Sequence, residues 1–456
     1  MIYMLFVGIF LLLSISFYSF KEDVLAPSVI VCFMWLFSTL CAVYNIDNWK
    51  IDLHINTVAT ILYGLILFIF GEKIGRLLPI LKNKNTNNKN TNNKYINIYN
   101  QERNILVINI SLTVFVVIIA IGAITVIWQY KWVLNQTGGL SNWTDTMEKY
   151  RMENSSWSLD KIAKPSLLAN FETILKSSAF FMTYVFFNNI QTGKKNGYQL
   201  FYLIPGILYC IDKILNAGRG DVLMYLGAVI FAVYICAQKR HRWRIKVSHK
   251  FVKYLTVVFF ILLFLFSSSR TIVGRKSESS TIEYITMYAG GSVQLFDMYL
   301  QKPEPSSTIW GKETFQTLVN YLGRKFGKVE WQYIPHLEFR YSNGVNVGNV
   351  YGAFRYYIYD FGYIGLTVLT VLDGIIYSYA YKYIRKEKYI PKDGVDWKVL
   401  IYMYFASALF MFSIADYTYA MIFNIIPNFK VFIIMWIIKR LLVNRSFGVS
   451  VKGIDI

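Results

Sequence analysis

Charge is scarce in this chain, and motifs that carry chemistry are scarcer. Asp, Glu, Lys and Arg make up 16% of its 456 residues, against roughly a quarter in soluble domains. Its four cysteines, Cys32, Cys41, Cys210 and Cys236, fall in or at the ends of apolar runs and none lies in a large polar loop, which argues against a disulfide framework and a zinc site. There is no GxxxxGK[ST], no HExxH, and no DxD that could hold a metal against a nucleotide sugar; Asp360-Phe361-Gly362 stands without a kinase's other parts. Soluble nucleotide, metalloprotease and kinase chemistry are therefore not encoded here, and no metal or other cofactor is expected.

What the chain has instead is apolar length, with 55% hydrophobic and 18% aromatic residues. A spanning helix needs about 20 mostly apolar residues. Candidate runs fall at 2–20, 24–44, 55–71, 105–128, 167–190, 199–215, 222–237, 254–269, 361–381, 399–416 and 429–445. These predict an all-α polytopic membrane protein, a single membrane domain over 1–456 with about eleven transmembrane helices. The first run has no basic residue before Lys21 and no small-x-small cleavage site after it, so it reads as a retained helix.

The formal charge of +20 is distributed as a topology signal. Lys and Arg concentrate after the third run (Lys73 to Arg103), the seventh (Lys239 to Lys253), the ninth (Lys382 to Lys392) and the eleventh (Lys439 to Arg445). Such loops stay cytoplasmic. The N-terminus is then outside, the C-terminus cytoplasmic, and two long loops, 129–166 and 270–360, external. Residues 82–100, an Asn/Lys-rich tract, read as a disordered cytoplasmic linker. The basic stretch 238–250 is flanked by spanning runs, where anionic lipid headgroups rather than nucleic acid attract lysine and arginine. The bilayer is thus the first partner. Trp128, Tyr130, Trp132, Trp143, Tyr150 and Trp157, in and beside the first external loop, suit an interfacial belt or stacking on sugar rings. Within the second loop, 283–301 is apolar but carries Glu283, Gly290-Gly291 and Asp297, and reads as interfacial or re-entrant.

Five arginines stand on the side that topology disfavours: Arg219, Arg270, Arg275, Arg340 and Arg355. A guanidinium offers a planar fork of donors suited to phosphate oxygens, so a group of them at membrane depth points to an anionic lipid headgroup. Each could instead snorkel or pair with an acid such as Asp221 or Glu278. Gly344, Gly348 and Gly352 recur every four residues, which on a helix makes a bare stripe with Tyr351 and Arg355 beside it. Asp360 is free to act as a base or to cap the following helix. His336 is the one histidine in the second external loop.

The stretch NGVNVGNVYGAFRYYIYDFGYIG, 343–365, at the entry to a spanning run, resembles the corresponding stretch of bacterial oligosaccharide repeat unit polymerases, the Wzy type that makes O-antigen and capsular polysaccharide. Arg219-Gly220 opening a run from outside, and SSSRTIVGR (267–275) after the next, agree with it. The resemblance implies a metal-independent inverting glycosyltransferase in the bacterial plasma membrane that moves a growing glycan from a polyprenyl pyrophosphate carrier onto a lipid-linked oligosaccharide repeat unit. A flippase and a chain-length regulator are its implied partners. By analogy Arg219, Arg270, Arg275 and Arg355 would hold the pyrophosphate, with Arg340 and Tyr351 beside them, and Asp360 or His336 would take the acceptor's proton. A ligase using the same donor and a polysaccharide flippase are the competing readings.

The charge pattern makes a direct prediction. Reporter fusions after residues 90, 245 and 390 read cytoplasmic, and fusions near 150 and 310 read external; a cytoplasmic signal at 310 would overturn the external site.

Overall fold

The structure is a computed structural model that describes residues 1–80, 105–153, 163–192, 199–243, 263–264, 266–275, 280–332, 337–386 and 393–443, with the main chain of 95–97 and 389–391. Residues 254–262 and 265 of the eighth apolar run, His336, Trp157 and most of the Asn/Lys tract lie outside the described residues. β1 (Tyr95–Asn97) pairs antiparallel with β4 (Tyr389–Pro391).

The protein is all-α and multi-pass. Among the described residues six helices are long and apolar enough to cross a membrane: α1 (Ile2–Ser19), α2 (Pro27–Tyr44), α4 (Ile55–Leu77), α5 (Leu112–Thr137), α9 (Arg219–Arg240) and α13 (Ala353–Arg385). The remaining runs fall on α7 (Ser166–Gln191), on a 3-10 turn leading into α8 (Ile204–Leu215), on α14 (Trp397–Ala406) with its 3-10 extension, and on α16 (Ile425–Leu442). Shorter helices are α3 (Ile46–Trp49), α6 (Trp143–Glu153), α10 (Thr281–Gln301), α11 (Gln316–Phe326), α12 (Val329–Gln332) and α15 (Thr418–Ile422).

α1 is apolar on every side and buries only Ile2, Leu5, Ile9 and Ser16, the pattern of a helix facing lipid. α4 and α13 form the most extensive helix pair, because glycine lets their backbones meet. A β-carbon on Gly374 would lie 2.9 Å from the Gly71 carbonyl carbon and 2.8 Å from the Glu72 nitrogen. α13 is two helices joined at Gly362, whose φ of 64° and ψ of −158° belong to a region open essentially to glycine alone.

Two faces emerge from the loop contacts. On one, Asp23 accepts hydrogen bonds from Tyr234, Tyr381 and Arg385, Lys239 pairs with Asp396, Tyr184 donates to Gly394 O, and Asn188 and Asn189 donate to the carbonyls of Leu106 and Ile108. This face carries Arg76, Lys239, Lys382, Arg385 and Lys439. On the other, the 45–54 connection meets a β-hairpin of β2 (Arg340–Ser342) and β3 (Val345–Gly348): Ser342 donates to Trp49 O at 2.6 Å and Asn343 to Asn48 O at 3.1 Å.

That hairpin corrects the glycine stripe. Asn343 and Gly344 both have positive φ, 50° and 76°, as a tight two-residue hairpin turn requires, so Gly344 and Gly348 sit in the turn and β3, and Gly352 precedes α13. None of the three lies on a helix. α10 is a 21-residue helix opened by a Ser280–Glu283 capping box. Its first turns lie beside Arg219 and Arg275 and its last beside His54, so both ends belong to the face opposite the basic one. The described part of the 129–166 loop is also more helical than its composition suggests, since α5 continues to Thr137 and α6 follows.

Gly374→Val should force α4 and α13 apart and lower stability by about 1–3 kcal/mol, read as a lower unfolding temperature in detergent. Leu372→Val, at a site 40% exposed, should leave it nearly unchanged.

Candidate functional site

α9 starts after a tight turn in which Ala217 has φ 56°, and its N-cap, Gly218, offers no side chain to the first-turn amides. Those amides and the helix dipole leave a positive potential at this end. Arg219, the first helical residue, is 6% exposed. Its guanidinium carbon lies 4.3 Å from the Phe266 ring centroid and 5.4 and 5.3 Å from those of Tyr284 and Tyr288. Arg275 lies 5.4 Å from the Tyr288 centroid and donates to the Tyr288 hydroxyl. Arg270 lies 5.5 Å from the Tyr284 centroid. Successive turns of α10 thus present the rings on which three of the sequence-predicted arginines gather.

Among the described residues neither Arg219 nor Arg275 has an ion-pairing carboxylate. Asp221 does not pair with Arg219. The Nε of Arg275 is buried with no acceptor, and so is that of Arg151, a fourth arginine, which reaches from α6 to Gly274 O at 3.5 Å. Burial, and then repulsion from Arg275 and Arg219, lower the Arg151 guanidinium from its ordinary range. Aromatic faces offset part of the desolvation of these cations, but buried donors without acceptors favour an anion.

Arg219 and Arg275 open onto a cavity of about 590 Å³ between α2, α9, α10 and the segment before α15. Its other walls are mainly apolar, including Met34 and Phe37 of α2, Ile230 of α9, and Phe410. Asp221 and Tyr417 line it too. One cavity therefore joins a cationic end to a greasy one, a shape that suits an anionic lipid.

Arg355 sits in a different centre. It is 1% exposed, pairs with Glu313 and, at 3.3 Å, with Glu338, and is ringed by Tyr299, Tyr351, Tyr356 and Tyr359 with centroids 4.9–6.0 Å away. Burial pushes Glu313 up to about 7 against the pull of Arg355. Burial also opposes charge on Glu338, but there Arg355 and hydrogen bonds prevail and hold it below its ordinary value. Arg340 tethers the hairpin, donating to the carbonyls of Met298 and Lys302 and to Glu338. The Tyr351 hydroxyl donates to Glu338 O at 2.9 Å. Asp360 accepts the main-chain N–H groups of Glu313 at 3.1 Å and Thr314 at 2.7 Å, clamping the loop before α11. Arg340, Tyr351, Arg355 and Asp360 are not among the cavity's described lining residues.

Sequence reasoning missed Glu313, Glu338, Arg151, Tyr284 and Tyr288. Many acids in the loops could have served Arg355, and no spacing distinguishes the two that do. The tyrosines were legible only as one face of α10, four residues apart. Trp143 stacks on Tyr130 at 5.4 Å and its indole N–H donates to Ile272 O at 2.9 Å, so it joins the two long polar loops. Comparison with protein-family models finds no match, and comparisons with curated proteins and with solved structures find none either.

Removing one partner of a buried ion pair leaves a lone buried charge and costs about 3–5 kcal/mol. Arg355→Met should lower stability by that order, and adding Glu313→Gln should restore most of it, measured as a thermal double-mutant cycle. Glu313 binds its proton more tightly folded than unfolded, so its destabilising contribution develops as pH rises from 4.5 to about 7. Glu313→Gln should flatten stability across that window.

Proposed function

We propose that the chain polymerises polyprenyl-pyrophosphate-linked oligosaccharide repeat units into a surface polysaccharide on the outer face of the bacterial plasma membrane, with its basic face cytoplasmic. The observation that carries this reading is the cavity of about 590 Å³ whose polar end is Arg219 and Arg275, neither ion-paired among the described residues, and whose walls include Met34, Phe37 and Phe410. A diphosphate fits the guanidinium pair and the uncapped first turn of α9. The prenyl chain follows the apolar wall toward lipid.

Breaking the sugar–phosphate bond builds charge on the departing pyrophosphate, and donors fixed in advance stabilise that charge without reorganising. Buried Arg219 and half-buried Arg275, held by the rings of α10, are such donors. Arg270 and Arg151 add positive potential behind them. Arg355 takes a supporting part in this account: it holds the Glu313 and Glu338 loops against the start of α13.

Lipid-linked glycans of a deletion strain test the reading. Accumulation of single repeat units supports a polymerase; full-length lipid-linked chains would indicate a ligase, and units trapped inside a flippase. Lysine keeps charge but loses the planar fork. Arg219→Lys or Arg275→Lys should therefore cut polymerisation by about a hundred- to a thousandfold at normal protein levels, while Arg385→Lys on the basic face should not. Normal polymer from both outer variants would refute the pyrophosphate site.

A further inference from the structure

We infer that Asp221 is the general base that removes the proton of the acceptor hydroxyl, an assignment that rests on the proposed polymerase activity and goes beyond it. Asp221 lines the same cavity as Arg219 and Arg275. Its side chain makes no hydrogen bond or ion pair to any described residue. One carboxylate oxygen lies 3.1 Å from where a β-carbon on Gly218 would stand, so the missing side chain there leaves the carboxylate room over the turn. The contrast with Asp360 is direct, since that carboxylate already accepts two main-chain N–H groups. A general base must keep an oxygen available to the incoming hydroxyl.

Its surroundings match the task. From its own helix Arg219 faces the cavity with it, Arg275 comes from the 266–275 segment, and Tyr417 lines the same space. Lys213 and Tyr209 of α8 feel its charge from behind, and Lys213 is itself paired with Asp212 at 3.1 Å. A diphosphate on the two arginines would leave Asp221 as the carboxylate at the polar end of the cavity.

The step balances as follows. The acceptor hydroxyl oxygen attacks the anomeric carbon of the donor glycan on the side opposite its phosphate. A glycosidic C–O bond forms while the anomeric carbon–phosphate oxygen bond breaks, the bonding pair leaves with the pyrophosphate, and the hydroxyl proton passes to Asp221. Inversion at the anomeric carbon follows from attack on the opposite side.

The test uses the full-length protein in nanodiscs with purified lipid-linked repeat units, and compares the wild type with Asp221→Asn and Asp221→Glu. Asp221→Asn should lower kcat by about 10²–10⁴-fold, keep its affinity for polyprenyl pyrophosphate, and lose the fall in rate on acidification that a carboxylate base imposes. Asp221→Glu should recover part of the rate. Wild-type kcat in Asp221→Asn sinks this assignment while the polymerase reading stands. So does a variant that loses pyrophosphate affinity in step with rate and is not improved by glutamate, because Asp221 would then be organising the site. A wild-type protein that makes no polymer sinks the polymerase reading itself, and this inference with it.

Discussion

Arg219 lies almost fully buried against Phe266, Tyr284 and Tyr288, with no ion-pairing carboxylate among the described residues. A buried cation without a counterion is unfavourable unless the protein or a ligand answers its charge. Here the rings answer part of it through their electron-rich faces, and placing them fixes much else. α10 must lie across α2 with Tyr284 and Tyr288 toward α9. Gly290 allows that approach, since a β-carbon there would come within 2.6 Å of the Ala42 nitrogen. The segment carrying Arg270 and Arg275 then folds back over the same rings.

The second arginine centre is built differently. Arg355 has two glutamates and four tyrosines, so its charge is met within the chain. Tyr288 and Tyr299 mark the two centres on α10, about 16 Å apart along the helix axis. One end of α10 therefore carries an arginine paired within the chain and ties together three segments, while the other faces a cavity. That asymmetry is the basis for the proposal that one end holds the fold together and the other binds. The α4–α13 glycine seam gives the paired end a firm base, because Arg355 and Asp360 both ride on the first half of α13.

The membrane-helix character was legible in the sequence because apolar runs of about 20 residues have few other uses. Register and partners were less so. The Asn343-Gly344 pair is a strong hairpin signal, yet the four-residue recurrence of Gly344, Gly348 and Gly352 suggested a helix; positive φ at each glycine settles the point. Arg219, Arg270 and Arg275 stood out by their expected side of the membrane and do gather, whereas Arg355, which shared that signal, lies in a separate cluster. Its counterions come from segments 17 and 42 residues away, a separation no local pattern encodes. Asp221 looked like a partner for Arg219 by proximity in sequence, and only the structure separates their side chains.

The central claim is that the cavity beside Arg219 and Arg275 holds a lipid diphosphate, and the most direct measurement is cryo-electron microscopy of the full chain in a nanodisc with saturating polyprenyl pyrophosphate. The account predicts density for two phosphates between the Arg219 and Arg275 guanidinium groups, with the prenyl chain running past Met34, Phe37 and Phe410. An empty cavity at saturation, or a headgroup bound elsewhere on the protein, would contradict it.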